Sequence, residues 1–516
     1  MALARAWSVG LTGMQGHVIE VEADLAQGVP NLTIVGLPDA AVCESRDRVR
    51  AAVLNSGQPW PQKRITLGLS PATLPKHGSG FDLAMAVAVL AAGGGIPAAA
   101  LERVALYGEL GLDGRVRPLR GVLPAVLAAA AAGFRRVVVP AGNAAEAALV
   151  PGVEVWAVGW LRELIAALRE GRPPEMLVAD DASQLPATPA PAPDGDLDGL
   201  DLADVLGQPT GRRAVEVAAA GGHHTFLVGD PGTGKTMLAA RLPGLLPALD
   251  HDAALEVTAV HSVAGALSTG CPLITRPPFR DPHHTTSVAA LVGGGSGIAR
   301  PGLVSLAHHG VLFLDEAPEF QTGVLDALRQ PLESGRVTIA RSGGVASYPA
   351  RFLLVLAANP CGCASSGVVG NCECAPAVRR RYLRRLSGPL LDRVDLQVRM
   401  DPVSRAELLA DATHADATEV VAKRVAVARD RAAGRLRGTP WRTNAQVPGR
   451  ALRGRLAPPR AAMTATERAL DSGRLSARGL DRVLRVAWTL ADLAEVPRPG
   501  ADEVDEALFL RLGVPR

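Results

Sequence analysis

Apolar and polar positions along the chain change period several times, and each change marks an element. HVIEVEADL, from His17, alternates apolar and polar residues, the period of a half-buried strand. RDRVRAAVLNSG, from Arg46, switches to helical spacing and stops at Gly57. ITLGLSPA from Ile65 returns to strand. FDLAMAVAVLAAGG from Phe81 is apolar on every face and predicts a buried helix, and RRVVVPAGN is a strand stopped by Pro140. This mixture predicts an α/β or α+β domain over residues 1–178. Residues 179–200 carry four prolines between Pro186 and Pro193 with no apolar periodicity, the pattern of a solvated linker. A second α/β pattern follows over 201–400. Residues 401–516 are rich in Arg, Ala and Leu and predict helices, among them the amphipathic SARGLDRVLRVAWTLADL from Ser476.

Bulk composition narrows the setting. Although 48% of the 516 residues are hydrophobic, no run reaches the roughly eighteen apolar residues of a membrane span. The N-terminal stretch has no apolar core of signal-peptide length, so a cytoplasmic protein with no membrane partner is expected. A net charge of +3 excludes a general polycation; any nucleic-acid surface must come from locally placed arginines and lysines. Four of six cysteines fall between Cys361 and Cys374, unlike a secreted disulfide framework.

FLVGDPGTGKTMLAARL carries the strongest chemical signal. An apolar strand, Thr225 to Val228, runs into Gly229-Asp230-Pro231-Gly232-Thr233-Gly234-Lys235-Thr236, which opens a helix. In that context G-x4-G-K-[ST] is a phosphate loop. Its backbone N–H groups curl round the phosphates of ATP, Lys235 reaches the β- and γ-phosphates, and Thr236 holds Mg2+. GVLFLDEAPEF ends a second apolar strand in Asp315-Glu316. The first carboxylate suits Mg2+, and the second suits a base that polarises the attacking water. A third strand, RFLLVLAANP, ends at Asn359, placed to orient that water. Arg393 lies between Asp392 and Asp395 in SGPLLDRVDL, where it is either ion-paired or a finger offered to a neighbouring subunit's γ-phosphate.

Together these segments resemble an AAA+ ATPase. RPPFRDPHHTTSVAALVGGG from Arg276, LAHHGVLFLDEAPEF and RRYLRRLSGPLLDRVDL resemble the magnesium-chelatase-like AAA+ family, and within it the ComM/YifB proteins. The resemblance implies an N-terminal Lon-protease-like (ribosomal S5 domain 2-like) α+β domain, an AAA+ core and a helical lid. It also implies a homo-oligomeric, hexameric ring with its sites between subunits. Arg393 is then the finger, and Arg478 is a sensor-2 arginine that contacts nucleotide from the lid. Arg276–Gly297 becomes a helix-2 insert facing the pore. GRVTIARSGGVASYPARF becomes a pre-sensor hairpin with Arg341 near its tip, suited to a phosphate backbone. His283, His284, His308 and His309 allow a metal reading or simple packing with hydrogen bonds. Adjacent histidines share an ion only with unusual backbone geometry.

Two N-terminal stretches, LPKHGSGFDLAMA and GELGLDGRVRPLRGVLPAVLAAAAAGFRRVVVPAGN, carry the Lon resemblance. The position of that family's nucleophilic serine is Gly80 here, beside Ser79, and the position of its lysine is Leu123, followed by Pro124. Leucine accepts no proton and Lys76 lies elsewhere in the motif, so proteolysis is disfavoured.

The cysteine cluster, Cys361, Cys363, Cys372 and Cys374 in CxC-x8-CxC, can close round a structural Zn2+. Redox-labile thiols and an iron–sulfur cluster are its alternatives. The run Val378–Arg385 beside it is an exposed helix face or an anion-binding one. The expected function is an ATP-driven DNA motor of helicase or branch-migration type. A chelatase-type motor for metal insertion into a tetrapyrrole and a Lon-like protease are the alternatives.

Overall fold

The computed structural model describes residues 2–174, 199–267, 273–295, 299–341, 344–363, 374–404 and 415–513. Nearly all of the expected linker, 179–200, lies outside them.

The strands of the main N-terminal sheet are β1 (Ala2–Thr12), β2 (Gln15–Ala26), β3 (Asn31–Val35), β4 (Arg64–Ser70), β5 (Val104–Leu106), β6 (Arg136–Pro140) and β7 (Glu154–Val158). They form one mixed sheet in the order β3-β4-β2-β1-β5-β6-β7. β1 and β2 make a long hairpin paired from Ala2↔Leu25 to Thr12↔Gln15, while β5, β6 and β7 add in parallel. The alternation in β2 is explained by burial: Ile19, Val21, Ala23 and Leu25 point into the core. Against the sheet pack helices α1 (Ala40–Asn55), α2 (Asp82–Ala92), α3 (Val122–Ala131) and α4 (Leu161–Glu170). α1 begins before the expected Arg46 because the Asp39 side chain accepts from the Val42 N–H and caps it. α2 is buried along almost its whole length, which is why its sequence shows no polar face.

The second body is built on β8 (Thr225–Gly229), β9 (Phe279–Arg280), β10 (Gly293–Gly294), β11 (Arg300–Pro301), β12 (Val311–Leu314), β13 (Arg336–Arg341), β14 (Gly344–Pro349), β15 (Leu353–Ala358) and β16 (Leu396–Met400). Five of these make a parallel sheet, β9-β12-β15-β8-β16. Their near-continuous apolar sequences follow from burial on both faces. β10–β11 and β13–β14 are separate hairpins. Its helices include α5 (Pro209–Gly221), α6 (Lys235–Leu245), α7 (His251–Ala264), α8 (Val288–Val292), α9 (Arg329–Ser334), α10 (Pro376–Leu383), α11 (Thr418–Arg435), α12 (Ala477–Leu493) and α13 (Ala501–Leu512). α11, α12 and α13 share one core with α5, α6 and β16, so the C-terminal helices are packed onto the sheet layer. Among the described residues no helix is long and apolar enough to cross a membrane.

One expectation is corrected here. Arg276–Gly297 is not wholly an insert: Phe279–Arg280 is the edge strand β9, paired with β12. What departs from the sheet begins after Arg280 and comprises α8 and β10. The other expected insertion is the β13–β14 pair, joined from Arg336↔Pro349 to Arg341↔Gly344, with residues 342–343 outside the described residues. The two hairpins touch. The Tyr348 hydroxyl donates to the Ala299 carbonyl, and Arg341 lies over Gly294.

The two bodies meet at α3 and α7. Gly121 N donates to Ser262 O at 3.2 Å, and the buried Glu146 carboxylate accepts from both Leu123 N and the Ser262 hydroxyl. The tip of the β1–β2 hairpin, at Gly13, reaches Ala346 and Ser347 of β14.

Candidate active site

All five parallel strands end on the same side, and the polar residues that close β8, β12 and β15 gather there. Between β8 and α6 the phosphate loop turns through Gly232 (φ +79°) and Gly234 (φ +87°), conformations that side chains resist. Gly229 is required for a different reason: a Cβ there would lie 2.4 Å from the Met400 carbonyl oxygen. Lys235, 7% exposed, donates to the carbonyls of Gly229 at 2.7 Å and Asp230 at 2.8 Å, and to Asn359 Oδ1 at 3.2 Å. Burial lowers its pKa, opposed by the charges of Asp315, Asp230 and Glu316. Thr236 Oγ1 donates to Asp315 Oδ2 at 2.7 Å, and Asp315 Oδ1 accepts from the Glu316 N–H at 2.8 Å. Glu316 itself is in the left-handed region (φ +49°), which turns the chain away from the strand directly after Asp315.

Lys235, Thr236, Asp315, Glu316 and Asn359 are thus brought to one sheet end. The set fits ATP with Mg2+: a buried ammonium held against loop carbonyls, loop glycines that leave backbone N–H groups accessible, and a hydroxyl–carboxylate pair of the hardness Mg2+ takes.

His284 was not legible as part of this site. Its Nδ1 lies 3.5 Å from Glu316 Oε2, because the chain leaving β9 comes out beside β12. These four histidines form two tilted pairs, His283–His284 and His308–His309, each with centroids 4.1 Å apart. His309 has the unusual backbone (φ +57°) that turns both rings of its pair toward Glu256, at 3.2 Å and 3.6 Å. An ion is still disfavoured. His308 Nδ1 accepts from Arg351 N at 2.9 Å, so its single proton sits on Nε2, the atom facing Glu256, and leaves no lone pair there. Hydrogen bonds from His308 and His309 hold the Glu256 carboxyl below its ordinary range.

Neither expected arginine reaches the phosphate loop of its own chain. Arg393 pairs with Glu333 of α9 and donates to the Pro389 carbonyl. Asp395 does not pair with it but is buried against His223 and Arg482. Arg478 is exposed in the first turn of α12. One turn on, Arg482 contacts Asp395, which precedes β16 and so lies at the sheet end opposite the loop.

Beyond Asn359, Cys361 is buried, and its Sγ lies 2.8 Å from that of Cys363. The sulfur atoms of Cys361, Cys363 and Cys374 all lie within 4.8 Å of one another; Cys372 is outside the described residues. Three convergent thiols suit a soft ion such as Zn2+. In α10 and just beyond it, Arg379 donates to the Cys374 carbonyl and Arg385 pairs with Glu319 at 2.9 Å, while Arg380, Arg381 and Arg384 are exposed.

Among the described residues, the positions expected for a nucleophile and a base in the N-terminal domain form no dyad. A Cβ at Gly80 would lie 2.5 Å from the Tyr107 ring. Ser79 donates to Glu109, and Lys76, 1% exposed, donates to the Pro71 carbonyl. Leu123 is buried at the start of α3, where Pro124 falls in the first turn, a place that needs no N–H.

Family models describe the same architecture. Magnesium chelatase, subunit ChlI, matches residues 201–442; subunit ChlI of Mg-chelatase matches 21–143; the ChlI C-terminal model matches 415–511. The chain is 57% identical over 513 residues to an uncharacterised protein of Mycobacterium tuberculosis, covering 99% of each. It is 40% identical over 512 residues to the uncharacterised protein YifB of Escherichia coli, covering 99% of this chain and 97% of that one. With the competence protein ComM of Haemophilus influenzae it shares 38% over 517 residues, 99% and 98% of the two chains. A shorter match, 31% over 192 residues, is to Lon protease of Rhizobium meliloti, covering 35% of this chain and 23% of that one. The chain belongs to the magnesium-chelatase-like AAA+ family, alongside ComM and YifB, and is an AAA+ ATPase.

Proposed function

We propose that this ATPase is a ring-forming motor on DNA, with helicase or branch-migration activity on recombination intermediates. The observation that carries the DNA assignment is the joined pair of hairpins, β10–β11 and β13–β14, which sets exposed Arg341 beside the backbone of Gly293–Gly294. An exposed arginine at the edge of two joined hairpins suits phosphate contact without base readout. Full-length similarity to a protein named for competence supports the same reading.

In this reading Lys235 binds the β- and γ-phosphates, and Asn359, already bonded to Lys235, orients the attacking water. Glu316 takes the proton of that water. Thr236 and Asp315 would hold Mg2+, which when bound would supply charge neutralisation for the phosphate oxygens. Arg393 and Arg478 serve the nucleotide of the neighbouring subunit in a homo-oligomeric, hexameric ring, which fits their distance from the loop of their own chain. Cys361, Cys363 and Cys374, together with Cys372, would hold Zn2+, which would supply a staple for the loop between Asn359 and Arg393.

The test is ATP turnover with and without forked or branched DNA, followed by unwinding of the forked substrate. Stimulation with strand separation is expected. Turnover indifferent to every DNA would sink the DNA assignment and favour a chelatase-type motor.

A further inference from the structure

Asp395 lies between Arg393 and β16 in the chain, and it is 1% exposed. Its Oδ2 is 2.9 Å from His223 Nδ1, and its Oδ1 accepts from Arg482 Nη1 at 3.0 Å. The other nitrogen of His223 meets Thr489 Oγ1 at 2.7 Å. Arg482 and Thr489 are seven residues apart on α12 and therefore share one face. Thr489 continues the network through Asn444 at 3.1 Å to Asp492, to which Arg435 donates from both Nη1 and Nη2. Backbone groups close the other side: Asp395 N donates to His224 O at 2.9 Å, and Arg511 of α13 donates to the Val394 carbonyl. The close approach depends on Gly221, where a Cβ would stand 2.1 Å from His223 Nε2 and 2.4 Å from Thr489 Oγ1.

A lone buried carboxylate would be strongly unfavourable, so so many partners on one Asp amount to a rigid joint between the sheet and the lid. Two arginines leave that joint. Arg393 is two residues before Asp395 in the chain, and Arg478 is one helical turn before Arg482. We infer that Asp395 is a positioning residue that fixes Arg393 and Arg478 as one rigid pair, presented together to the neighbouring subunit's nucleotide. This rests on the reading that both arginines act in trans. An arginine must be held to within about 0.5 Å to stabilise a transferring phosphoryl group, which flexible side chains on independently moving segments cannot achieve. The joint supplies that common frame.

Mixed oligomers of full-length chains separate the possibilities. Arg393→Ala chains keep their own loop and base but present no finger, whereas Glu316→Gln chains present the finger but lack the base. Mixing two inactive species should restore ATPase activity; if it does not, the trans reading fails and the inference falls with it. Asp395→Asn keeps the shape of the joint and removes its charge. It should lower turnover by about tenfold or more, with fluorescent-nucleotide affinity and oligomer size unchanged. Adding Glu316→Gln chains should then restore it, as it does Arg393→Ala. The doubly substituted Glu316→Gln/Asp395→Asn chain should fail to restore Arg393→Ala. Should Asp395→Asn not fold, Arg482→Gln carries the same test and Arg482→Lys should recover most activity. Full turnover in these variants, or a defect that Glu316→Gln chains do not relieve while they do relieve Arg393→Ala, would overturn the inference.

Discussion

At the scale of single residues, the nucleotide site was the most legible part of the molecule, because each of its members closes an apolar strand or opens a helix. Lys235, Thr236, Asp315 and Asn359 could be chosen from spacing alone, and the structure joins them by direct hydrogen bonds. Glu316→Gln should preserve ATP affinity and lower turnover by at least about a hundredfold, measured by steady-state hydrolysis beside nucleotide titration. His284 was hidden because its distance from Glu316 in sequence says nothing about β9 and β12 being neighbours. Gly80 shows the converse. The sequence already named it as the missing nucleophile, and the Tyr107 ring now explains why restoring a side chain is costly. Gly80→Ser should lose about 1–3 kcal/mol in chemical denaturation and gain no peptidase activity.

Among elements, the β13–β14 hairpin was readable from alternation around a glycine turn, and its register agrees with the sequence pattern. Its contact with β10–β11 was not, since short Gly-rich strands carry no periodicity. Arg341→Ala should weaken DNA stimulation and unwinding several-fold while DNA-free turnover stays near wild type; an unchanged DNA response would remove the hairpin from that role. The cysteine loop is the other element with its own test. Purified protein is expected to hold close to one zinc per chain, and a strong chelator should expose the thiols to titration. A zinc content well below half an equivalent would leave the thiols without a metal.

For the whole molecule, two buried histidines tie stability to pH. Burial pushes His224 and His261 down to about 4. Above about pH 6.5 they are neutral in both folded and unfolded chains and impose no pH dependence. As pH falls from there toward 4 the unfolded chain binds protons that the folded chain refuses, so stability drops, by on the order of 3 kcal/mol for each site once fully expressed. The melting temperature should therefore fall steadily as pH drops from about 6.5 to 5, and less steeply in His224→Gln. The sequence by itself determined the order of the domains and the identity of the phosphate-loop chemistry, because strand ends, glycine turns and helix starts are local signals. Which segments meet was decided only by the tertiary structure. The Glu146–Ser262 contact between the two bodies, the separation of both arginines from the loop of their own chain, and the joint at Asp395 depend on strand order and helix docking. Those are set by burial of whole faces, and no local residue pattern records them.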